Sequence, residues 1–350
     1  MNPVVEIYRG VAAMMVMLCH YKGMVFGGSP SWMGFLWTGV DFFFVISGFV
    51  FGPHVLNGKI NIVSFFVRRF FRIYPLYLLS LGVYFFITPD SSGKIGYLLH
   101  HFFTLHTVFS KEEAFFFNPA FWSLPPEVEY YFLIPFLSFW VKFSVRRLIL
   151  VAIFALVIHL VVFSALSELQ NSKLTLILSV HLPGLLVEFL IGILSFYAFR
   201  GKLLDSFYVA MFSLVLAIGA LVFLGWYFVM FGDAGVSAHP VFKLTFNVFC
   251  AVAYGVVLVV SVSLMRGREL DPFFMKIAIF SGQVSFGVYL FHNAIPLFFD
   301  GFGMPPFIRL FLCGSVVVIL SFVMNRIYEA PLQQYGVFLS RKIDLLCKNV

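Results

Sequence analysis

Long apolar runs alternate with short polar breaks along almost the whole of this 350-residue chain. Most runs approach the length of about 20 apolar residues that a helix needs to cross a bilayer. They show neither the two-residue alternation of a half-buried strand nor a wide polar helical face. The pattern predicts an all-α polytopic membrane protein with about ten spans, at residues 4–22, 34–54, 73–88, 127–142, 147–166, 178–199, 207–231, 240–265, 276–299 and 307–328.

The amino-acid composition supports a membrane protein. Hydrophobic residues make up 61% of the chain and charged residues only 11%, whereas soluble domains carry about 25% charged residues. The 49 phenylalanines are too many for a soluble core of this size, so lipid must surround the outer faces. A transmembrane barrel does not fit, because its strands would alternate apolar and polar residues. The four cysteines lie in apolar runs or near the basic C-terminus, so we expect neither disulfides nor a metal site.

The basic residues predict the orientation of the helices. The net charge of +7 does not indicate a nucleic-acid partner, because Lys and Arg orient the spans of a membrane protein. With a cytoplasmic N-terminus, fifteen basic residues fall on the cytoplasmic side of the ten spans and six on the other side. This bias predicts two cytoplasmic termini. We expect a membrane domain over residues 1–335, a short basic cytoplasmic tail over 336–350 and no appended soluble domain.

Two ionisable residues interrupt the first span. Arg9 and His20 are eleven positions apart, so they lie on nearly the same helix face, separated by about 16 Å along the axis. Charged groups inside a membrane are costly and are candidates for function. The alternative is that Arg9 extends to the lipid headgroups and that His20 is an interfacial residue.

Acidic residues begin two further spans, in "GVDFFFVISGF" and "FWSLPPEVEYYFLIP". Asp41 and Glu127 are expected near the outer ends of their spans with His20, where a carboxylate could orient an imidazole that acts as a base. The alternative is a favourable interaction with the helix N-terminus, which we prefer for Glu129. His292, in "SFGVYLFHNAI", is either a functional residue or a hydrogen-bond donor between helices.

A basic cluster, "RRFFRIYP", precedes the third span. Arg68 and Arg72 are four residues apart and Arg69 flanks them, so one helical turn could present a basic face. Guanidinium groups bind phosphate oxygens in pairs, which suits a phosphate-bearing ligand. From charge alone, anchoring to anionic lipid explains the cluster better.

Six stretches, taken in order, resemble the acyltransferase-3 family of membrane-bound acyltransferases. They are "EIYRGVAAMMVMLCH", "GVDFFFVISGF", "FVRRFFRIYP", "WSLPPEVEYYFLIP", "SFGVYLFH" and "YEAPL". The resemblance covers most of the chain. The Pro-Pro pair after Leu124 departs from the small or β-branched pair that is usual in the family.

The resemblance implies a multi-pass protein of the bacterial cytoplasmic membrane that moves an acyl group, usually acetyl, from cytoplasmic acyl-CoA to a carbohydrate hydroxyl. The acceptor could be a surface polysaccharide, such as an O-antigen or exopolysaccharide, or a lipid-linked glycan. No metal is implied. In this scheme His20 is the general base, and an acyl-histidine relay is the less favoured variant.

The same resemblance implies roles for the other candidates. Arg9 would lie near the thioester, and Asp41 or Glu127 would hold the imidazole tautomer. The basic cluster of Arg68, Arg69 and Arg72 would bind the CoA phosphates. Trp122, Ser123 and His292 would contact the acceptor, with Trp122 stacking on a sugar ring. The competing hypothesis is a transporter or flippase for a glycan or acylated lipid, because intramembrane Arg, His and Asp also suit a substrate path.

Overall fold

The structure, a computed structural model, describes residues 2–27, 31–58, 60–142, 144–166, 172–239 and 241–346. Over these ranges the chain is helical and contains no strand. The helices are α1 (Pro3–Phe26), α2 (Trp32–Phe35), α3 (Gly39–Asn57), α4 (Ile62–Ile87), α5 (Lys94–Phe102), α6 (His106–Phe109), α7 (Lys111–Ala114), α8 (Leu124–Val141), α9 (Val145–Leu166), α10 (Ser172–Val180), α11 (Leu182–Arg200), α12 (Phe207–Ala238), α13 (Phe242–Leu264), α14 (Pro272–Phe291), α15 (Pro306–Met324) and α16 (Ala330–Leu346). Short 3-10 turns lie at Leu36–Thr38, Pro119–Ser123 and Ile295–Phe299, and a π-helical turn lies at Asn325–Glu329.

The expected all-α membrane fold is confirmed. In the described part of the chain, nine segments are long and apolar enough to cross a membrane: Pro3–Phe26, Trp32–Asn57, Ile62–Ile87, Val145–Ala165, Lys173–Arg200, Phe207–Ala238, Phe242–Leu264, Pro272–Phe291 and Pro306–Leu346. They match nine of the ten predicted spans. The remaining predicted span, 127–142, corresponds to α8, which carries two glutamates among its apolar residues.

Helix α8 runs alongside α3 in the same direction. Ser47 in α3 donates to Glu127 in the first turn of α8, and Gly58, just after α3, lies against Lys142, just after α8. The two helices therefore share depth over most of the length of α8. Because α8 starts beside the middle of α3 and ends beside its end, α8 and the connector that precedes it together make one crossing, which brings the number in the described part of the chain to ten.

The directions of α1 and α14 agree with this number. Gly10 packs on Ser281, and eleven residues later on both helices Tyr21 donates to the carbonyl of His292 at 2.7 Å. The helices are therefore parallel and in register. The first and ninth of ten crossings run in the same direction, whereas without α8 these two helices would be antiparallel. Which end of the bundle is cytoplasmic stays a prediction.

The start of the third span differs from the prediction. Helix α4 begins at Ile62, eleven residues before the predicted boundary at residue 73. The side chain of Asn61 accepts a hydrogen bond from the Ser64 amide and caps the helix. The boundary was wrong because basic residues ended the apolar run without ending the helix. The arginine cluster therefore lies within α4.

The connector between α4 and α8 folds back against α4. The Tyr77 hydroxyl donates to the carbonyl of His101 at 2.6 Å, and Phe121 is fully buried against Tyr77 and Tyr84. The aromatic residues and three histidines of residues 89–126 predict a connector that lies partly along the membrane interface. Its last part instead enters the hydrophobic core, which brings the "WSLPPE" stretch into the middle of the bundle.

The C-terminal helix packs on α4. Ser64 donates to the carbonyl of Ser340 at 2.7 Å, and Gly336 lies against the Phe71 ring. Residue 336, the predicted start of the tail, therefore lies inside α16. The division into domain and tail stays a prediction, and Lys59 and residues 347–350 lie outside the described residues.

Candidate functional site

A cavity of about 110 Å³ lies among α1, α3, α4, α8 and α14. Most of its wall is apolar, formed by residues such as Val40, Phe44 and Phe286. Its polar lining comes from helices that are far apart in the sequence: Arg9, Ser47, Arg72, Ser123, Glu127, Ser285 and Tyr289. Four of the predicted site residues, Arg9, Arg72, Ser123 and Glu127, therefore meet in one place.

Each arginine of the cavity has a buried acidic partner. Arg9 is paired with Glu6 at 3.2 Å, one helical turn earlier. Arg72 is paired with Glu329 at 2.9 Å, and Glu329 also accepts from Asn325 and Gln333. Sequence reasoning missed both acids, although Glu6 is three residues before Arg9 and Glu329 belongs to the "YEAPL" stretch. The pairs fix the direction of the guanidinium groups and reduce the cost of burying their charge.

Glu127 is bonded within the cavity wall and not to a histidine. Its carboxylate accepts hydrogen bonds from Ser47, at 3.2 Å, and from Tyr131, at 2.8 Å. It lies beside the middle of α3, deeper than the predicted position near the outer end of the span. The expectation that Glu127 orients His20 does not match these contacts, because the re-entrant connector starts α8 well inside the bundle.

Asp41 belongs to a different buried cluster. It is 1% exposed, accepts a hydrogen bond from Asn247 at 3.5 Å and lies near the carboxylate of Glu188. Glu188, on α11, is fully buried and was not singled out from the sequence. The expectation that Asp41 orients His20 also fails, because this face of α3 packs against α11 and α13.

His20 instead contacts a second histidine. Its Nδ1 atom lies 2.9 Å from the carbonyl of Val16 and 3.1 Å from Nε2 of His292. The Nδ1 atom of His292 lies 3.0 Å from the carbonyl of Val288. A carbonyl only accepts, so both Nδ1 atoms carry the proton in the neutral rings. The Nε2 atom of His292 then accepts from His20, and Nε2 of His20 keeps a free lone pair.

The two histidines differ in exposure. His292 is fully buried between α14 and α1, whereas His20 is exposed at the end of the face that carries Arg9. His292 was expected to contact the acceptor. Its burial and its bond to His20 suit an orienting role better. No group of three or more His, Cys, Asp or Glu side chains that could hold a metal occurs within the described ranges.

Tyr289 joins the connector to α14. Its hydroxyl donates to the carbonyl of Ala120 at 2.7 Å and accepts from Ser123. Sequence reasoning missed this tyrosine, which is one helical turn before His292. Trp122 is half-buried against the core and does not line the cavity, so Ser123, and not Trp122, faces the site.

The three arginines of α4 point in different directions. Arg68 reaches Ser340, at 3.2 Å, and Asp344, at 3.9 Å, on α16. Arg72 faces the cavity, and the Arg69 guanidinium lies over aromatic rings. The three side chains therefore do not form a single basic face: Arg69 is turned by about 100° from Arg68, and Arg68 and Arg72, one turn apart, are held by different acidic partners.

The chain belongs to the Acyl_transf_3 acyltransferase family, whose domain model matches residues 2–326. It is 25% identical over 265 residues, 73% of this chain, to a protein of Acidianus two-tailed virus named "Putative acetyltransferase ORF330", of which 72% is covered. It is 38% identical over 79 residues, 21% of this chain and 39% of the relative, to "Protein 2 in picA locus" of Rhizobium radiobacter. No solved structure matches it significantly. The resemblance to this family is confirmed: the protein is a multi-pass membrane acyltransferase.

Proposed function

We propose that the protein transfers an acyl group, acetyl in the simplest case, from acyl-CoA to a carbohydrate hydroxyl, with His20 as the general base. The observation that carries this proposal is the bonding of the two histidines. Contacts with Val16 and His292 hold the proton on Nδ1 of His20. The Nε2 lone pair is therefore free for an incoming hydroxyl, on an exposed residue that a substrate can reach.

In the chemical step, Nε2 of His20 takes the proton of the acceptor hydroxyl as its oxygen attacks the thioester carbonyl. The C–S bond then breaks, and the CoA sulfur leaves with the proton that His20 received. The products are the ester and free CoA. The positive charge that His20 carries in between is stabilised by hydrogen bonds from Nδ1 to the Val16 carbonyl and to His292.

The cavity is the proposed position of the donor arm. Arg9 lines it, lies on the same face of α1 as His20 and is about 16 Å from it along the helix axis. Arg9 and Arg72 supply positive charge and N–H donors to the amide carbonyls of the donor arm in an otherwise apolar space. With the arm in this cavity, the thioester at its end extends from Arg9 towards His20, which lies on the same face of α1.

For the CoA phosphates, Arg68 is the best placed of the three arginines. It lies near the end of the bundle where α3 ends and contacts Ser340 and Asp344, in the turn of α16 that also carries the exposed Arg341 and Lys342. The predicted cytoplasmic location of this end agrees with a cytoplasmic donor. The acceptor in this proposal is a surface polysaccharide or a lipid-linked glycan. The protein itself would lie in a bacterial cytoplasmic membrane.

Purified protein in nanodiscs, incubated with labelled acetyl-CoA and glycan-containing membrane extract, tests the proposal. The native protein should release CoA and label the extract. His20→Ala should lower the rate by at least about a hundredfold, the usual contribution of a general base. His239→Ala, which removes an exposed histidine at the end of α12, is the control and should retain activity. Equal turnover by the His20 variant would remove this residue from the mechanism.

A further inference from the structure

Arg69 is a cation inside the bundle without an acidic partner. In the described part of the chain, its neighbours Arg68 and Arg72 are paired with carboxylates, whereas Arg69 is bonded to none. Its Nε atom is buried without any hydrogen-bond partner. The charge of Glu127 acts on Arg69 from the cavity side, but this carboxylate is bonded to Ser47 and Tyr131, so the N–H donors of Arg69 stay open to another anion.

Aromatic rings account for only part of the stabilisation of this charge. The Arg69 guanidinium carbon is 4.9 Å from the Phe51 ring centre, 5.6 Å from that of Phe65 and 5.8 Å from that of Tyr131. Cation–π contacts favour the cation. They leave its N–H donors without acceptors, which phosphate oxygens would supply in a fork geometry.

A groove of about 410 Å³ leads to Arg69 from the side of the bundle. Apart from Arg69, its walls are almost entirely apolar and aromatic, and they come from α4, α8 and the end of α5: Phe66, Phe70, Ile73, Tyr74, Leu78, Phe102, Phe103, Val128, Tyr131 and Phe132. The outer rings of Phe70, Phe103 and Phe132 are 49%, 61% and 59% exposed. The groove therefore opens sideways, where lipid surrounds a membrane-spanning protein.

We propose that this groove binds a phosphate-bearing membrane lipid, with the phosphate on Arg69 and the chain between α4, α8 and the end of α5. The apolar walls match a hydrocarbon chain and the guanidinium matches the phosphate. A lipid of the surrounding bilayer reaches a lateral opening directly, whereas Arg68, one residue earlier, faces α16 on another side of α4. This assigns Arg69 to a lipid site, separate from the donor site proposed for Arg68 and the cavity.

The lipid site adjoins the cavity. Ile73 and Tyr131 line both spaces, and the Tyr131 hydroxyl donates to Glu127 on the cavity side. A lipid phosphate on Arg69 thus lies behind the wall that holds Glu127. The binding itself does not depend on acyl transfer, so it is measured without turnover.

Delipidated protein in detergent is titrated with phosphatidylglycerol, and binding is followed by native mass spectrometry and by thermal stability. Diacylglycerol with the same chains is the control for the phosphate. Native protein should bind phosphatidylglycerol and be stabilised by it. Arg69→Gln should weaken binding at least about tenfold, the loss expected for hydrogen bonds to a charged group. Arg68→Gln, one position away but facing α16, should bind as the native protein does.

A second variant distinguishes a loss of lipid binding from a general effect of the Arg69 substitution on folding. Val128→Trp fills the groove while keeping Arg69, and it should also abolish lipid binding. Equal binding of phosphatidylglycerol by native protein and Arg69→Gln would overturn the proposal, as would equal binding of diacylglycerol. A loss of CoA affinity in Arg69→Gln with lipid binding unchanged would instead assign Arg69 to the donor site. Loss of turnover in His20→Ala has no bearing on these titrations, so the two proposals fail separately.

Discussion

Nε2 of His292 lies 3.1 Å from Nδ1 of His20, although 272 residues separate them in the sequence. The pairing follows from the parallel packing of α1 and α14, which places the ends of both helices at the same depth. It gives the exposed histidine a defined tautomer through a partner that is itself fully buried. In this arrangement one imidazole reacts and the other holds it in position.

His292→Phe should lower kcat for acyl transfer by about tenfold, because His20 loses one of the two acceptors that hold its Nδ1 proton and orient its ring. The KM for the acceptor should stay unchanged, since His292 is buried behind His20. Steady-state kinetics with varied acceptor distinguish this role from substrate binding, which would raise KM.

His292→Gln is the matched variant. Its side-chain oxygen can occupy the position of Nε2 and accept from His20, so it should restore part of the lost kcat. A raised acceptor KM with unchanged kcat in either variant would contradict the orienting role and favour direct contact with the acceptor.

The Arg72–Glu329 pair predicts a stability effect. Arg72→Met should destabilise the protein by about 3 kcal/mol, because it leaves the carboxylate of Glu329, which is 3% exposed, without its cation. The double variant Arg72→Met/Glu329→Gln should recover most of this loss, since neither charge remains. Unfolding in detergent, followed by tryptophan fluorescence, measures both.

Activity should not follow stability in this series. The double variant should remain inactive, because Arg72 also lines the cavity. If the double variant were as unstable as Arg72→Met, the loss of stability in Arg72→Met would not come from the unpaired carboxylate of Glu329. If it were active, the Arg72 guanidinium would have no part in binding the donor arm.

These two pairs show what the sequence could not predict. The spans, and the shared face of Arg9 and His20, follow from local periodicity and were predictable. The partners His292 and Glu329 lie 272 and 257 residues away from His20 and Arg72, and only the packing of helices brings them together. The direction of Arg69 likewise depends on rings that belong to α3 and α8 as well as to its own helix.

The burial of His101 predicts that the folded protein loses stability in acid. It is buried in α5, outside the spans, and burial lowers its pKa from 6.5 to about 4. The unfolded chain therefore binds a proton at a higher pH than the folded protein does. Stability is complete above pH 6.5 and falls by about 3 kcal/mol as the pH decreases towards 4. Melting temperatures measured between pH 4 and 8 should show this slope.

His101→Phe should flatten that slope, because the ring still packs on Phe117 and Phe121 but no longer titrates. Burial also lowers the pKa of His106, which stacks on His101, so part of the slope should remain. His239→Phe, at an exposed site, is the control. An unchanged slope in the His101 variant would show that its proton does not determine the acid sensitivity.

Two glycines set the close approach of α3 and α11. A Cβ atom at Gly48 would lie 1.9 Å from the Phe189 carbonyl oxygen, and one at Gly192 would lie 2.1 Å from that of Val45. Both obstacles are backbone, which cannot move aside without separating the helices. Gly48→Ala should therefore destabilise the protein by about 3 kcal/mol or prevent its insertion. Gly82→Ala, in the last third of α4, should have the opposite effect and add about 0.5–1 kcal/mol, because its Cβ atom would meet no neighbouring element within 4 Å and alanine favours a helix. Thermal unfolding of the two purified variants tests both signs, and equal stability of Gly48→Ala and Gly82→Ala would mean that α3 and α11 do not pack this closely.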